Sequence, residues 1–143
     1  MELIYPYTGK CPVVIVSIEN ILTGYQYLFQ MLLDTGAERT CFPAKYAYSF
    51  GHDNYHKNVK THEMHGLGGP CKCYINSVSL GLIDPVKSTA ANRVIAWKSK
   101  PAQASFAEKL DCGFGLLGMD IMNEWSNISF SGKSSGGQVK IFI

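Results

Sequence analysis

An aspartate at the end of an apolar run constrains this chain more than any other feature. Phe29-Gln30-Met31-Leu32-Leu33 leads straight into Asp34, and the small residues Thr35-Gly36-Ala37 follow. The run reads as a strand and the residues after it as a tight turn. A carboxylate at the end of a buried strand is costly unless something requires it there. Gly36 lets the backbone turn sharply and approach its surroundings. Thr35 offers a hydroxyl that can bond across to another backbone, and Asp34 projects from a rigid element. The motif occurs once in the chain.

Two such carboxyls held about 3 Å apart cannot both ionise, so they share one proton. One then serves as general base toward a bound water, while the other, protonated, donates to a carbonyl oxygen. The pair titrates as a unit. Since the motif is single, the second carboxyl must come from a second copy of the chain. A twofold axis placed at Asp34 delivers it, and twofold dimers are the commonest oligomers.

The rest of the chain patterns mostly as strands. Val13 to Ile18 and Tyr25 to Leu33 are rich in β-branched and aromatic residues, with Glu19-Asn20 and Thr23-Gly24 between them, which reads as a hairpin. Cys71 to Leu82 is a further strand, preceded by the turn Gly66-Leu67-Gly68-Gly69-Pro70. Val94 to Trp97 and Phe114 to Leu117 read as short buried strands. Met119 to Trp125 reads as one short helix, with Asp120 in its first turn. Ser131 to Gly137 is a Gly- and Ser-rich loop, and the alternating tail Gln138 to Ile143 is a final strand. Lys98 to Cys112 is a loop or a short helix, because Ala102 to Leu110 has weak helical spacing. The pattern predicts an all-β single domain over residues 1–143 with one short helix near the C-terminus.

Bulk properties exclude several classes of function. With 46% apolar and 17% charged residues the chain is an ordinary globular sequence. Its formal charge of +2 is spread thinly, so there is no electrostatic footprint for nucleic acid. The longest apolar run, Val13 to Ile18, is strand-sized, so no membrane span is expected. The N-terminus lacks the pattern of a signal peptide. Five cysteines, an odd count without framework spacing, favour free thiols and a cytoplasmic location. Without export, the sequon Asn127-Ile128-Ser129 has no meaning.

Leu32-Leu33-Asp34-Thr35-Gly36-Ala37 resembles the active-site signature of the retropepsin-like aspartic proteases, the homodimeric relatives of pepsin. Gly66-Leu67-Gly68-Gly69 is similar to the glycine-rich tip of that family's flap, the hairpin that closes over bound peptide. Leu116-Leu117-Gly118-Met119-Asp120 resembles the stretch before the family's helix, and the tail from Gln138 resembles its C-terminal strand in the dimer sheet. The resemblance implies a small closed barrel-like fold and an endopeptidase that hydrolyses peptide bonds with a water activated by an aspartate dyad. It implies a homodimer, an extended peptide or protein substrate, a flap turn mobile without ligand, and no cofactor or metal. Asp34, Thr35 and Gly36 would form the catalytic turn: acid/base, cross-axis lock and floor. Ala37, Leu32, Cys41, Phe114 and Leu116 would contact substrate from below, with Gly66, Leu67, Gly68 and Gly69 above, which implies apolar residues flanking the cut bond. Two departures stand out. Met119 sits where viral members commonly carry an Arg that pairs with the acid after the turn, here Glu38, beside which only Arg39 offers a partner. Ile83 to Cys112 is also long for a viral member, which points to a cellular or bacterial relative.

Rival readings remain. Asp34 could serve only as an Asx-turn or a helix cap. The fold could belong to a dimeric peptide-binding module without turnover. All four histidines, His52, His56, His62 and His65, precede Cys71 and Cys73 closely, and such a cluster can hold zinc, although the spacing is poor for a structural finger. The glycines at 66, 68 and 69 lack the Lys-Ser/Thr of a phosphate loop. Cys41 and Cys112 read as small core thiols rather than nucleophiles.

Overall fold

The computed structural model describes residues 1–66, 69–132 and 136–143. Its strands in chain order are β1 (Glu2–Pro6), β2 (Val13–Asn20), β3 (Gln26–Leu33), β4 (Cys41–Pro43), β5 (Thr61–Gly66), β6 (Gly69–Ile83), β7 (Ile95–Lys98), β8 (Ala102–Ala107), β9 (Gly115–Leu117), β10 (Asn127–Ser131) and β11 (Gln138–Phe142). A one-turn helix, α1 (Met119–Met122), follows β9, and single 3-10 turns cover Ala44–Tyr46 and Tyr48–Phe50.

Strand pairing runs β2-β3-β9-β4-β8-β6 and returns through β6 to β2, so these strands close a barrel. Closure removes the free edges that open sheets must otherwise protect. The hairpin between β2 and β3 forms where the sequence places it. Asn20, fully buried, caps its turn by accepting the backbone N–H groups of Leu22 and Thr23, and its amide donates to Phe50 O at 2.9 Å. Alternation along β2 turns Val14, Val16 and Ile18 inward. They join Met31, Phe42, Val78, Leu80, Leu82, Phe106 and Leu117 in the core. The rings of Phe42 and Phe106 stack at 5.1 Å, and Phe29 and Phe50 meet Phe42 at 5.8 and 5.5 Å. Each such buried side chain contributes about 2–3 kcal/mol.

A separate sheet holds β1, β11 and β10, in that order. β11 pairs with β1 from Glu2↔Phe142 to Pro6↔Gln138 and with β10 from Asn127↔Phe142 to Ser131↔Gln138. Both its edges are therefore occupied within the chain. The tail is a strand as expected, but a partner cannot pair with it unless β1 or β10 is displaced.

Three further expectations are corrected. Ala102 to Ala107 is a core strand, β8, rather than a loop or helix. The helix stops at Met122 instead of Trp125, since Ser126 already donates to Phe142 O and draws the chain into β10. β7 begins at the exposed Ile95 and pairs only with β6, so it is an edge strand and not a buried one. Among the described residues no helix is long and apolar enough to cross a membrane.

Candidate active site

The aspartate turn is built where three strands meet. β9 inserts between β3 and β4, parallel to the first and antiparallel to the second. The chain leaving β3 must therefore pass over the end of β9 to reach β4. Asp34 N–H donates to Leu117 O at 3.0 Å at that crossing. Beyond it, Met119 N–H donates to Ala37 O at 2.7 Å and Asp120 N–H to Glu38 O at 3.1 Å. A Cβ on Gly118 would lie 2.7 Å from the Arg39 carbonyl carbon and 2.8 Å from Ala37 O, so only glycine permits this approach.

Asp34 is half-buried, and Thr35 and Gly36 are exposed. Gly36 N–H donates to Asp34 Oδ1 at 2.9 Å. The Asx-turn is thus present; it fixes the carboxylate's orientation and engages one of its two oxygens. A Cβ on Gly36 would crowd that same oxygen at 3.3 Å.

Asp120 anchors the far side of the turn. Its carboxylate accepts the Thr40 backbone N–H at 3.0 Å, the Thr40 hydroxyl at 2.8 Å and the Ile121 N–H at 2.9 Å. The Thr40 hydroxyl oxygen in turn accepts Gly118 N–H at 3.1 Å. Sequence reading places Asp120 in the first helical turn and in a family-like stretch. It does not single out Thr40, whose pairing with Asp120 spans 80 positions. Among the described residues Glu38 and Arg39 form no salt bridge.

Leu32, Leu116 and Cys41 are register partners across β3, β9 and β4, and they share one face of the sheet. Phe114 precedes β9, and its carbonyl accepts the Cys112 thiol at 3.0 Å. Leu32, Leu116 and Phe114 are half-buried, but Cys41 is only 2% exposed. Its sulfur lies 3.9 Å from Met64 Sδ of β5, so Met64 covers it in this conformation. Burial, helped by the Asp120 carboxylate, pushes the Cys41 thiol up to about 11.

β5 and β6 form the flap-like hairpin, paired as far as His65↔Pro70 and Gly66↔Gly69. Gly69 has φ +86°, a conformation that side chains disfavour. Leu67 and Gly68 lie outside the described residues. The hairpin stem is held down by the Met64–Cys41 contact and by His62 Nε2, 2.9 Å from Ser105 Oγ of β8.

The histidines do not converge. His52 is buried beside Phe106, His56 Nδ1 accepts Asn58 N–H at 3.2 Å, His62 meets Ser105, and His65 is exposed near Glu63. Among the described residues no group of three His, Cys, Asp or Glu side chains is placed to hold a metal ion. The zinc reading has no geometric support.

A family model described as retroviral aspartyl protease matches residues 9–128. A retropepsin-like aspartic protease from Rickettsia conorii has a similar structure, with a TM-score of 0.62 and 17% identity over 96% of this chain and 98% of that one. EIAV protease, solved with a bound inhibitor, aligns at a TM-score of 0.48 and 17% identity over 82% of this chain and 89% of its own. No curated protein matches. With the family model running across most of the sequence and a closed barrel beneath it, the chain belongs to the retroviral aspartyl protease family and has the retropepsin-like fold.

Proposed function

We propose that this aspartic protease hydrolyses peptide bonds with a dyad made of Asp34 from two copies of the chain. The observation that carries this reading is the turn itself. It holds a half-buried carboxylate with one oxygen fixed by Gly36, on a backbone pinned by Leu117 and Asp120, with Thr35 and Gly36 exposed beyond it. That is a rigid acid presented at a surface where a second copy can meet it. In such a pair one carboxylate draws a proton from water, the water attacks the scissile carbonyl carbon, and the other carboxyl gives its proton to the carbonyl oxygen. Collapse of the resulting gem-diol transfers a proton to the leaving nitrogen and restores the shared proton.

Thr35 would lock the two turns together, and Gly36 and Ala37 would bond the substrate backbone. Leu32, Leu116 and Phe114 would line side-chain pockets, with Cys41 reached only when Met64 moves. Substrate would lie extended between this floor and the β5–β6 hairpin, with Gly66 and Gly69 flanking its tip. We infer action in the cytoplasm from the odd number of cysteines without framework spacing.

The test is Asp34→Asn, whose amide oxygen can still accept Gly36 N–H, so the fold is retained. The variant should lose cleavage of a diverse peptide pool between pH 4 and 7. Added in excess to wild type, it should also suppress wild-type cleavage by drawing chains into mixed dimers. Full activity in the variant, or no suppression on mixing, would end the two-chain reading. Peptide binding by wild type without cleavage would instead favour a silent binding module.

A further inference from the structure

His52 takes no part in the site above, and its surroundings are poor for an imidazole. It is 7% exposed, and its Nε2 is buried with no hydrogen-bond partner among the described residues. Its ring lies 5.7 Å from that of Phe106, which is fully buried in the core. A buried polar atom left unpaired opposes the arrangement that buries it.

The backbone sets the point from which the ring is inserted against Phe106. Gly51, at φ +78°, closes the 3-10 turn Tyr48–Phe50, and His52 N–H donates to Ala47 O at 2.9 Å. His52 lines two open pockets. One, of about 540 Å³, is lined by Ile21, His56, Val59, Ile75 and Asn76 among others. The other, of about 410 Å³, is lined by residues that include Tyr48, Tyr55 and Tyr74. Open space thus borders the residue that carries the ring. The loop that carries it runs from Gly51 to Lys60, whose carbonyl accepts Ile75 N–H at 2.9 Å, and continues directly into β5.

Charged and titratable groups face the two pockets from the 3-10 turns, the loop, β6 and the residue after β8, whereas the β2–β3 turn contributes only Ile21 and Leu22. Lys45 comes from the first 3-10 turn, Tyr48 from the second, Asp53, Tyr55 and His56 from the loop itself, Tyr74 from β6 and Glu108 from the end of β8. Most are already engaged. Lys45 pairs with Asp111 at 2.9 Å, and the Tyr74 hydroxyl donates to Glu108. Asp53 Oδ1 accepts Tyr55 N–H at 2.9 Å, and His56 Nδ1 accepts Asn58 N–H. Among the described residues none hydrogen-bonds the His52 ring, so no partner stabilises its charged form where it sits.

We propose that His52 is an acid-responsive latch on the loop that leads into β5. Neutral, it rests against Phe106 and holds the loop closed. Protonated, it moves out into one of the two pockets, and the loop with the base of β5 loosens. Burial pushes its pKa down, in agreement with this sign. The closed form is fully favoured above the ordinary histidine value of about 6.5. Below it, the open form binds one more proton, so opening rises by up to tenfold per pH unit until the seated ring itself titrates. The device does not depend on the dyad, but an aspartic centre works in the same acid range, so hairpin access and chemistry would rise together.

Hydrogen exchange of the full chain, read in peptides covering residues 51–66 and corrected for intrinsic rates, tests this at pH 7.5 and 5.0. Opening in wild type should rise at least tenfold on acidification, and in His52→Phe and His52→Gln it should stay within twofold. An equal acid response in both variants, or none in wild type, would overturn the proposal. If neither variant folds, an NMR titration of the His52 ring in wild type decides. The latch requires protonation below the ordinary histidine value together with shifts in the 51–60 amides; titration at the ordinary value with those amides unmoved overturns it.

Discussion

Thr40 gives both its backbone N–H and its hydroxyl to the carboxylate of Asp120, at 3.0 and 2.8 Å, and is itself 1% exposed. The pair ties the segment leaving the Asp34 turn to the first turn of α1. Asp120→Ala would strand the Thr40 donors in a dry place and should destabilise the fold by about 3 kcal/mol, since each buried unpaired group costs about 1–3 kcal/mol. Asp120→Asn keeps an acceptor and should cost about 1 kcal/mol. Urea unfolding measures both. Cleavage should fall at least tenfold further in the alanine variant than in the asparagine one. Equal losses in the two would show that the carboxylate's charge, rather than its hydrogen bonds, holds the turn.

Gly118 sits where the chain passes over itself. The atoms a methyl group would meet there belong to the backbone of Ala37 and Arg39, at 2.7–3.0 Å, and cannot swing away as a side chain could. Gly118→Ala should therefore lower stability by about 3 kcal/mol, the upper end for overpacking. It should also abolish cleavage by shifting the backbone beside Asp34. Gly113→Ala is the control: among the described residues nothing lies within 4 Å of its added Cβ, so it should change stability by less than about 0.5 kcal/mol. Thermal melts of the two variants, run side by side, provide the comparison.

The strands that were legible in the sequence show a pattern that burial imposes. β2 and β3 alternate or carry β-branched and aromatic residues because each has one face toward the core. β8 was not legible because it is enclosed on both faces: Ala104, Ser105 and Phe106 are all fully buried, between β4 and β6. Alternation then disappears, and small residues chosen for close packing mimic helical spacing. β4 is too short to carry any period, and β1 and β10 are strands because β11 lies between them. The Asp34 turn was legible because its chemistry is local. The Thr40–Asp120 support was not, because it depends on β9 inserting between strands distant in sequence. Met64 lying over Cys41 is likewise a product of how the hairpin folds down.

The thiols offer a test against pH. Burial, aided by Asp120, raises Cys41 to about 11, and burial with the neighbouring Cys71 raises Cys73 to about 12. Cys11 is exposed. Because the thiolate is the nucleophile, iodoacetamide at pH 8 should label Cys11 readily and leave Cys41 and Cys73 unmodified in the native state. Both buried thiols are easier to ionise in the unfolded chain, at about 8.5. Their contribution to stability is therefore complete below that value and is lost as pH rises through 11 and 12. Peptide mapping after labelling at pH 8 and pH 10 follows this. Rapid native labelling of Cys41 at pH 8 would mean that Met64 does not cover it in solution.

Removing residues 138–143 should unfold the chain instead of yielding a folded monomer. β11 is the middle strand of its sheet, so its loss strips β1 and β10 of their partner together. It also removes Val139 and Ile141, both fully buried, which together contribute about 4 kcal/mol. Against a typical total of about 5–15 kcal/mol, that loss alone is severe before any hydrogen bond is counted. A strand given over to a dimer sheet would behave differently: its removal would leave each monomer cooperative while association weakened. Far-ultraviolet circular dichroism with a thermal melt separates the two outcomes. A truncated chain that melts cooperatively near the wild-type temperature would show that β11 is dispensable to the monomer and free to pair elsewhere.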